Sequence, residues 1–357
     1  MASREERPWN QYWTDLNSKD LSRNGLHTFP EDRLPITERD QILSLQIHHN
    51  SIGILPGAIG TFSNLVILDA SNNGLCHIAE EIGRLSFLQT LVVKNNNLDN
   101  DSLPKNFDQL HSLQAVNLSG NRFTEFPSPL IHMPQIQKLY LASNRIEEMP
   151  NLIHHIQSLE VLNMGDNLLR CIPEEVGSLT HLTNLNLAGN RLQSLPKTLM
   201  YLRKLKSLSL HNNKLATLPP EIVAINLVEL SLRNNPLVVK FIQGMTYEVP
   251  SLLELSGRVI KLNHITYTKN GIPRCLDQYL KSANKCVNPR CKGVFFSAKV
   301  EHVKFVDFCG KYRLPLLQYL CSPKCSDNRP HVEGSSDSES DEELLEARKR
   351  IKRVLLG

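Results

Sequence analysis

The sequence predicts an α/β solenoid of stacked parallel strands, followed by a small helical segment and a cysteine-rich module. Three observations carry this expectation. An asparagine recurs at near-constant spacing through the first two-thirds of the chain, the stretch SLLELSGRVI breaks that rhythm after position 250, and six of the eight cysteines fall after position 270.

The rhythm comes first, because self-similarity decides the fold. LTNLNLAGNRLQSLP at 182–196 and LKSLSLHNNKLATLP at 205–219 both read LxxLxLxxNxLxxLP. The asparagine of that pattern recurs at Asn24, Asn50, Asn73, Asn96, Asn121, Asn144, Asn167, Asn190, Asn213 and Asn235, with spacings of 26, 23, 23, 25, 23, 23, 23, 23 and 22. LxL alternates an apolar side chain inward with a polar one outward, which makes a short strand. The asparagine marks the turn off the strand, where its amide can satisfy backbone groups of its own and neighbouring turns as a buried ladder. LP then opens the return segment. Each unit is too small to bury its own face, so its stability comes from its neighbours.

These residues resemble the leucine-rich repeat family, of the 23-residue intracellular type, over roughly residues 16–240. The resemblance implies a horseshoe and leaves its partner open, because such folds host many functions. The ends depart from the pattern: Lys19 replaces a leucine in the first unit, which reads as a cap, and Pro236 interrupts the last. The outward column four residues before each asparagine reads Asp20, Gln46, Asp69, Val92, Asn117, Tyr140, Asn163, Asn186, Ser209 and Ser231. With His48, Lys94, His211 and Arg233 from the column two before, Tyr140 centres the expected binding face for a protein substrate. The plainer reading makes each of these a solvated strand residue.

Net charge is +4 with 21% charged residues, which gives no reason to expect a nucleic-acid partner. No run of about 18 apolar residues is present and MASREERPWNQYW has no apolar stretch of signal-peptide length, so the expectation is a cytoplasmic or nuclear protein with no membrane partner. Cysteines in that compartment argue for thiols or metal rather than disulfides.

After the repeats, Pro250 precedes Ser251, and Ser251 with Glu254 forms a capping-box pattern that predicts a helix from Leu252. Leu252, Leu255 and Val259 then share one stripe, and Gly257 costs the helix about 1 kcal/mol relative to alanine. One reading makes this helix a cap over the open end of the solenoid. A second rests on resemblance. S-L-x-x-L-S-x-x-x-I, from Ser251 to Ile260, is similar to the elongin-binding box of cullin-RING ubiquitin ligase receptors. That resemblance implies elongin B and elongin C as partners, with Leu252 entering a pocket of elongin C and Leu255, Ser256 and Ile260 beside it. Downstream, GIPRCLDQYLKS resembles the cullin-contacting half of such boxes through Ile272, Pro273, Leu276, Tyr279 and Leu280, and leaves cullin 2 or cullin 5 open. Two letters depart from the family: Ser256 stands where cysteine or alanine is commoner, and Asn270-Gly271-Ile272-Pro273 supplies one proline where the cullin 5 version has two. LLQYLC at 316–321, with Leu317 and Cys321, is a weaker copy of the elongin pattern.

Cys286-VNPR-Cys291 and Cys321-SPK-Cys325 are two short loops about thirty residues apart, a spacing suited to a closed four-cysteine site for structural zinc. Cys275, Cys309 and His302 are reserve ligands, and buried free thiols are the plain alternative. Val294, Phe295, Phe296, Phe305, Phe308, Tyr312 and Tyr319 would form the small core. Beyond it, GSSDSESDEE reads as a disordered acidic run with Ser336, Ser338 and Ser340 as phosphorylation candidates, and LLEARKRIKRVLLG as a short basic helix.

The expected organisation is an N-terminal extension (1–15), repeats (16–240), box-like helices (241–282), the cysteine module (283–330) and an acidic then basic tail (331–357). No nucleophile-base pair, phosphate loop or carboxylate dyad stands out, so a non-enzymatic role is expected. The leading expectation is a substrate-recognition subunit of an elongin-cullin-RING ubiquitin ligase, and the alternative is a leucine-rich scaffold without a ligase role.

Overall fold

The computed structural model describes residues 17–237, 250–267, 272–288, 291–308, 312–322, 325 and 353–355. The N-terminal extension, Asn270, Gly271, Cys309 and the serines at 336, 338 and 340 lie outside the described residues. The chain divides into two compact units. One comprises Met1–Lys214, Ile225–Asn234 and Ile351–Gly357, the other Leu215–Ala224 and Asn235–Arg350.

In the first unit, three-residue strands form one parallel sheet: β1 (Ser18–Asp20), β2 (Ser44–Gln46), β4 (Ile67–Asp69), β6 (Thr90–Val92), β7 (Ala115–Asn117), β8 (Lys138–Tyr140), β9 (Val161–Asn163), β10 (Asn184–Asn186), β11 (Ser207–Ser209) and β12 (Glu229–Ser231). On the return side, β3 (Ile54–Leu55) and β5 (His77–Ile78) pair in parallel, and Ile36–Arg39 (α1) makes a single helical turn. The middle residue of each sheet strand after the first is a buried leucine or valine, such as Leu68, Leu139 and Leu208. Lys19 holds that place in β1, half-buried on the outermost strand. The return segments contain 3-10 turns, several of them preceded by proline, as at Pro150, Pro173 and Pro196, where a missing N–H costs no helical hydrogen bond.

The asparagine ladder forms with uniform geometry. Asn190 Nδ2 donates to Leu187 O (3.0 Å) in its own turn and Met164 O (2.9 Å) in the one before, while Leu169 N donates to Asn190 Oδ1 (3.0 Å). The residue before every ladder asparagine has left-handed φ, between +52° and +68°, at Arg23, His49, Asn72, Asn95, Gly120, Ser143, Asp166, Gly189, Asn212 and Asn234. Eight of these ten are not glycine, so those units carry a local strain of about 1–2 kcal/mol that the buried amide contacts hold in place.

One expectation fails at the end of this sheet. Of LLEARKRIKRVLLG, Arg353–Leu355 is not helical but a strand, β17, in parallel register with β12. The last strand of a stack otherwise leaves a row of unpaired N–H and C=O groups, and a short strand added to that edge satisfies them.

The second unit contains α2 (Leu252–Leu262), α3 (Arg274–Lys281), the antiparallel pair β13 (Asn284–Lys285) and β14 (Val294–Phe295), and a long antiparallel hairpin of β15 (Val300–Phe308) and β16 (Tyr312–Leu320). Leu218 N donates to Pro315 O (2.9 Å) and Leu317 N to Leu218 O (2.8 Å), so a return segment of the last repeats pairs with β16. The weaker elongin-like pattern at Leu317 therefore sits on a strand whose N–H is already used. The small core is Cys286, Phe295, Val300, Leu320 and Cys321, with Cys291, Tyr319 and Cys325 against it. Of the aromatic residues expected there, Phe295 and Tyr319 take part and Phe296 turns instead toward the helices. The side chains of Phe305, Phe308 and Tyr312 are outside the described residues.

Candidate docking helix and thiol cluster

α2 is packed with its polar face inward. Ser251 Oγ accepts from Glu254 N at 3.2 Å and caps the helix, but the reciprocal half of the capping box is not made. Glu254 is fully buried, and its carboxylate instead accepts from the backbone N–H of Phe296 (3.1 Å), Ser297 (3.3 Å) and Ala298 (2.8 Å) and from Ser297 Oγ (3.0 Å). Arg258, one turn on, donates to it through Nη2 (2.6 Å) and Nε (3.2 Å). Burial alone would raise the pKa of Glu254; the donors, Ala298 and Phe296 foremost, outweigh it and hold the carboxyl down at about 2. Arg258 reaches further, with Nη1 on Cys321 O (2.8 Å) and Nη2 on Ala298 O (2.6 Å).

Gly257 lies between these two residues, and here glycine is required by close approach. A Cβ at this position would come 2.9 Å from Phe296 Cε2 and 3.3 Å from Tyr279 Cε1. Phe296 in turn stacks on Tyr279 of α3, with centroids 4.4 Å apart and planes at 11°.

The consequence is an apolar stripe turned to solvent. Leu252 is 81% exposed, Leu255 46% and Val259 51%, with Leu253 and Leu262 also exposed. Ser256 is exposed and its Oγ donates to Leu252 O (2.9 Å), while Ile260 is half-buried. On α3, Pro273 and Leu276 are exposed and Ile272 half-buried, whereas Tyr279 is committed to its stack and Leu280 is buried.

Cys286, Cys291, Cys321 and Cys325 converge, with their four Sγ atoms all within 4.8 Å of one another. Cys291 and Cys321 Sγ lie 3.4 Å apart, and Cys321 and Cys325 Sγ 3.6 Å. Thiolates on a tetrahedral zinc at about 2.3 Å would stand about 3.8 Å apart, so the cluster fits a metal ion. Two further observations agree. Gly293 N donates to Cys291 Sγ (3.3 Å) and Cys321 N to Cys286 Sγ (3.5 Å), the contacts that stabilise thiolate ligands. A Cβ on Gly293 would fall 2.5 Å from Cys321 Sγ and 2.9 Å from Cys291 Sγ, so the cradle has no room for one. Burial, and after it the hydrogen bonds with Cys291 and Cys325, pushes the Cys321 thiol strongly up. Of the reserve ligands, Cys275 is exposed on α3 and belongs to no cluster among the described residues, nor does His302.

On the strand face, pairing puts the outward column in one line, from Asp20↔Gln46 through Asn117↔Tyr140 and Tyr140↔Asn163 to Ser209↔Ser231. Tyr140 is half-buried, and burial raises its hydroxyl pKa. His48, Lys94, Tyr140, His211 and Arg233 do not converge. His48 and Arg233 flank strands eight positions apart, which at about 4.8 Å per strand spreads them over roughly 40 Å. The two histidines have local contacts: His48 Nδ1 lies 2.9 Å from His49 Nδ1, and His211 Nδ1 3.2 Å from Ser231 Oγ. The face is a long polar track rather than a pocket.

Glu254 and Arg258 are the residues sequence reasoning missed. Their i,i+4 spacing on a helix with an apolar stripe was the available signal, and the capping-box pattern masked it by giving Glu254 another role.

Comparison with known proteins agrees with this geometry. The leucine rich repeat family matches residues 86–146, 134–192 and 180–237. Among solved structures, a TDR receptor is similar with TM-score 0.54 and 26% identity over 62% of this chain and 39% of its own. The Arabidopsis receptor kinase HAESA, in complex with the peptide hormone IDA and the co-receptor SERK1, is similar with TM-score 0.53, 26% identity and the same shares. These likenesses concern the repeats. Over nearly the whole chain, leucine-rich repeat-containing protein 58 of Xenopus tropicalis is 50% identical across 96% of this chain and 97% of its own length. The human protein of that name is 60% identical over 80% and 79%. The chain therefore belongs to the family of leucine-rich repeat-containing protein 58.

Proposed function

We propose that this protein is a non-catalytic, cytoplasmic substrate receptor of an elongin-cullin-RING ubiquitin ligase. α2 docks elongin C through Leu252, Leu255, Ser256 and Ile260, and with it elongin B. α3 faces cullin 2 or cullin 5 through Ile272, Pro273 and Leu276, with Tyr279 and Leu280 holding that helix in place. The strand face around Tyr140 holds a protein substrate, as the similar HAESA receptor holds a peptide hormone. Cys286, Cys291, Cys321 and Cys325 bind a structural zinc. The chain itself performs no bond-making step; it supplies proximity between the bound substrate and a conjugating enzyme.

The observation that carries the reading is the inverted packing of α2. A helix anchored by a buried Glu-Arg pair, with Leu252 81% exposed at its first turn, is built to hand its apolar residues to another protein. Co-purification tests it: wild-type chain retains elongin C, and Leu252→Asp reduces retention at least about tenfold, the loss of one buried leucine anchor. The repeats stay folded in that variant by circular dichroism. Undiminished elongin C on Leu252→Asp would refute the site, and no elongin C on the wild-type chain would leave the scaffold reading.

A further inference from the structure

The thiol cluster and α2 are joined by two side chains. Arg258 donates to the carbonyl of Cys321, itself one of the four cysteines, and to that of Ala298. Glu254 gathers the N–H groups of residues 296–298, the segment that leaves β14 three residues after Gly293. Apart from the Ser297 hydroxyl, the polar anchors of α2 on the module are backbone groups whose position depends on a cysteine loop: the carbonyl at Cys321 on one, and on the other the 296–298 stretch that follows Cys291. Among the described residues, the buried core around the cysteines is Phe295, Val300 and Leu320 with Cys286 and Cys321, and Tyr319 packs against it. Metal binding to four thiolates contributes folding free energy directly to a small module.

We propose that a metal ion at Cys286, Cys291, Cys321 and Cys325 positions α2 through Arg258 and Glu254, so that only the metal-loaded protein presents the outward Leu252–Leu255–Val259 stripe. The proposal deepens the docking role above and rests on it for its biological meaning. Without the ion the loops lose their fixed geometry, and the Cys321 carbonyl and the 296–298 amides no longer meet the two side chains. A Glu-Arg pair buried at that point would lack its partners, a state that is strongly unfavourable, and the helix is released. Arg258 and Glu254 are positioning residues: they touch neither the metal nor the docked protein.

The test uses the full-length chain and hydrogen exchange, read separately over α2 and over the repeat strands. Zinc-loaded protein, with one zinc per chain by elemental analysis, should show slow exchange at Leu255–Leu262. Chelation should speed exchange there by at least about tenfold while the strands from Ser44 to Ser209 keep their protection, and zinc alone should restore it. Because stripping metal disturbs the module as a whole, Arg258→Met isolates the link: it should retain one zinc per chain yet lose α2 protection and elongin C retention together. Unchanged α2 exchange on chelation, or in zinc-loaded Arg258→Met, overturns the coupling. Less than one zinc per chain after refolding with zinc overturns it at its first step. If zinc-loaded wild-type chain retains no elongin C, the docking reading fails, and α2 exchange still decides whether metal governs the helix.

Discussion

The repeat unit and the C-terminal unit solve the same problem, the burial of backbone and side-chain polar groups, in opposite ways. In the repeats each device is copied: Asn144, Asn167 and Asn190 make the same set of bonds one turn apart. In the C-terminal unit each device occurs once, and Glu254 alone collects three backbone amides, a hydroxyl and a guanidinium. Redundancy spreads the cost of any single loss along a nearest-neighbour array, whereas a single buried hub concentrates it. The difference teaches where each unit is vulnerable, and graded substitutions can break it.

Glu254→Gln should have the largest effect on stability, about 3–5 kcal/mol on the C-terminal unit in urea denaturation, because it leaves Arg258 buried without its charge partner. The same carboxylate gives a pH signature. Its pKa is lowered from 4.5 to about 2 in the folded chain, so its stabilisation is complete above the unfolded value and is lost as pH falls through that interval. Acid titration followed at α2 should show this loss in the wild-type chain and not in Glu254→Gln. Asn167→Ala should cost about 2–3 kcal/mol, since Ile146 N and the carbonyls of Leu141, Met164 and Gly165 lose a buried partner. Hydrogen exchange should confine that loss to the adjoining turns; a collapse of the whole array would contradict the additive picture. Gly257→Ala sets two effects against each other. Helix propensity gains about 1 kcal/mol, and overpacking against Phe296 costs about 1–3, so the net is a destabilisation of about 1 kcal/mol in thermal unfolding. Leu252→Asp should leave stability within about 0.5 kcal/mol, its whole effect falling on elongin C retention.

The same contrast explains what was legible in the sequence. A repeated device writes itself into the chain many times, so strand register, the outward column and the ladder bonds could all be read from the spacing of asparagines. Even there one regularity escaped: the left-handed residue before each asparagine is a mixture of Arg, His, Asn, Ser, Asp and Gly, so no residue type announces it. A device used once leaves no such trace. Ser251 and Glu254 correctly predicted where α2 starts, and misled about the glutamate, because the three amides it binds lie more than forty residues away. Gly257 looked like a cost to the helix and is a clearance for Phe296. The four cysteines were readable as a set because metal-ligand spacing is itself a pattern, while the strand at Arg353–Leu355 depends on an open sheet edge that composition does not reveal.

The pairing of Leu218 with Pro315 and Leu317 has a practical corollary. Leu215–Ala224 packs with the C-terminal unit although Lys214 before it and Ile225 after it belong to the repeats. The chain crosses the border twice within one repeat, so no single cut yields both parts whole. A fragment ending after the last asparagine strips Leu218 of its β16 partners, and one starting there leaves Pro315 O and Leu317 N without the Leu218 backbone they pair with. Any exchange of the C-terminal unit for another has to carry Leu215–Ala224 with it.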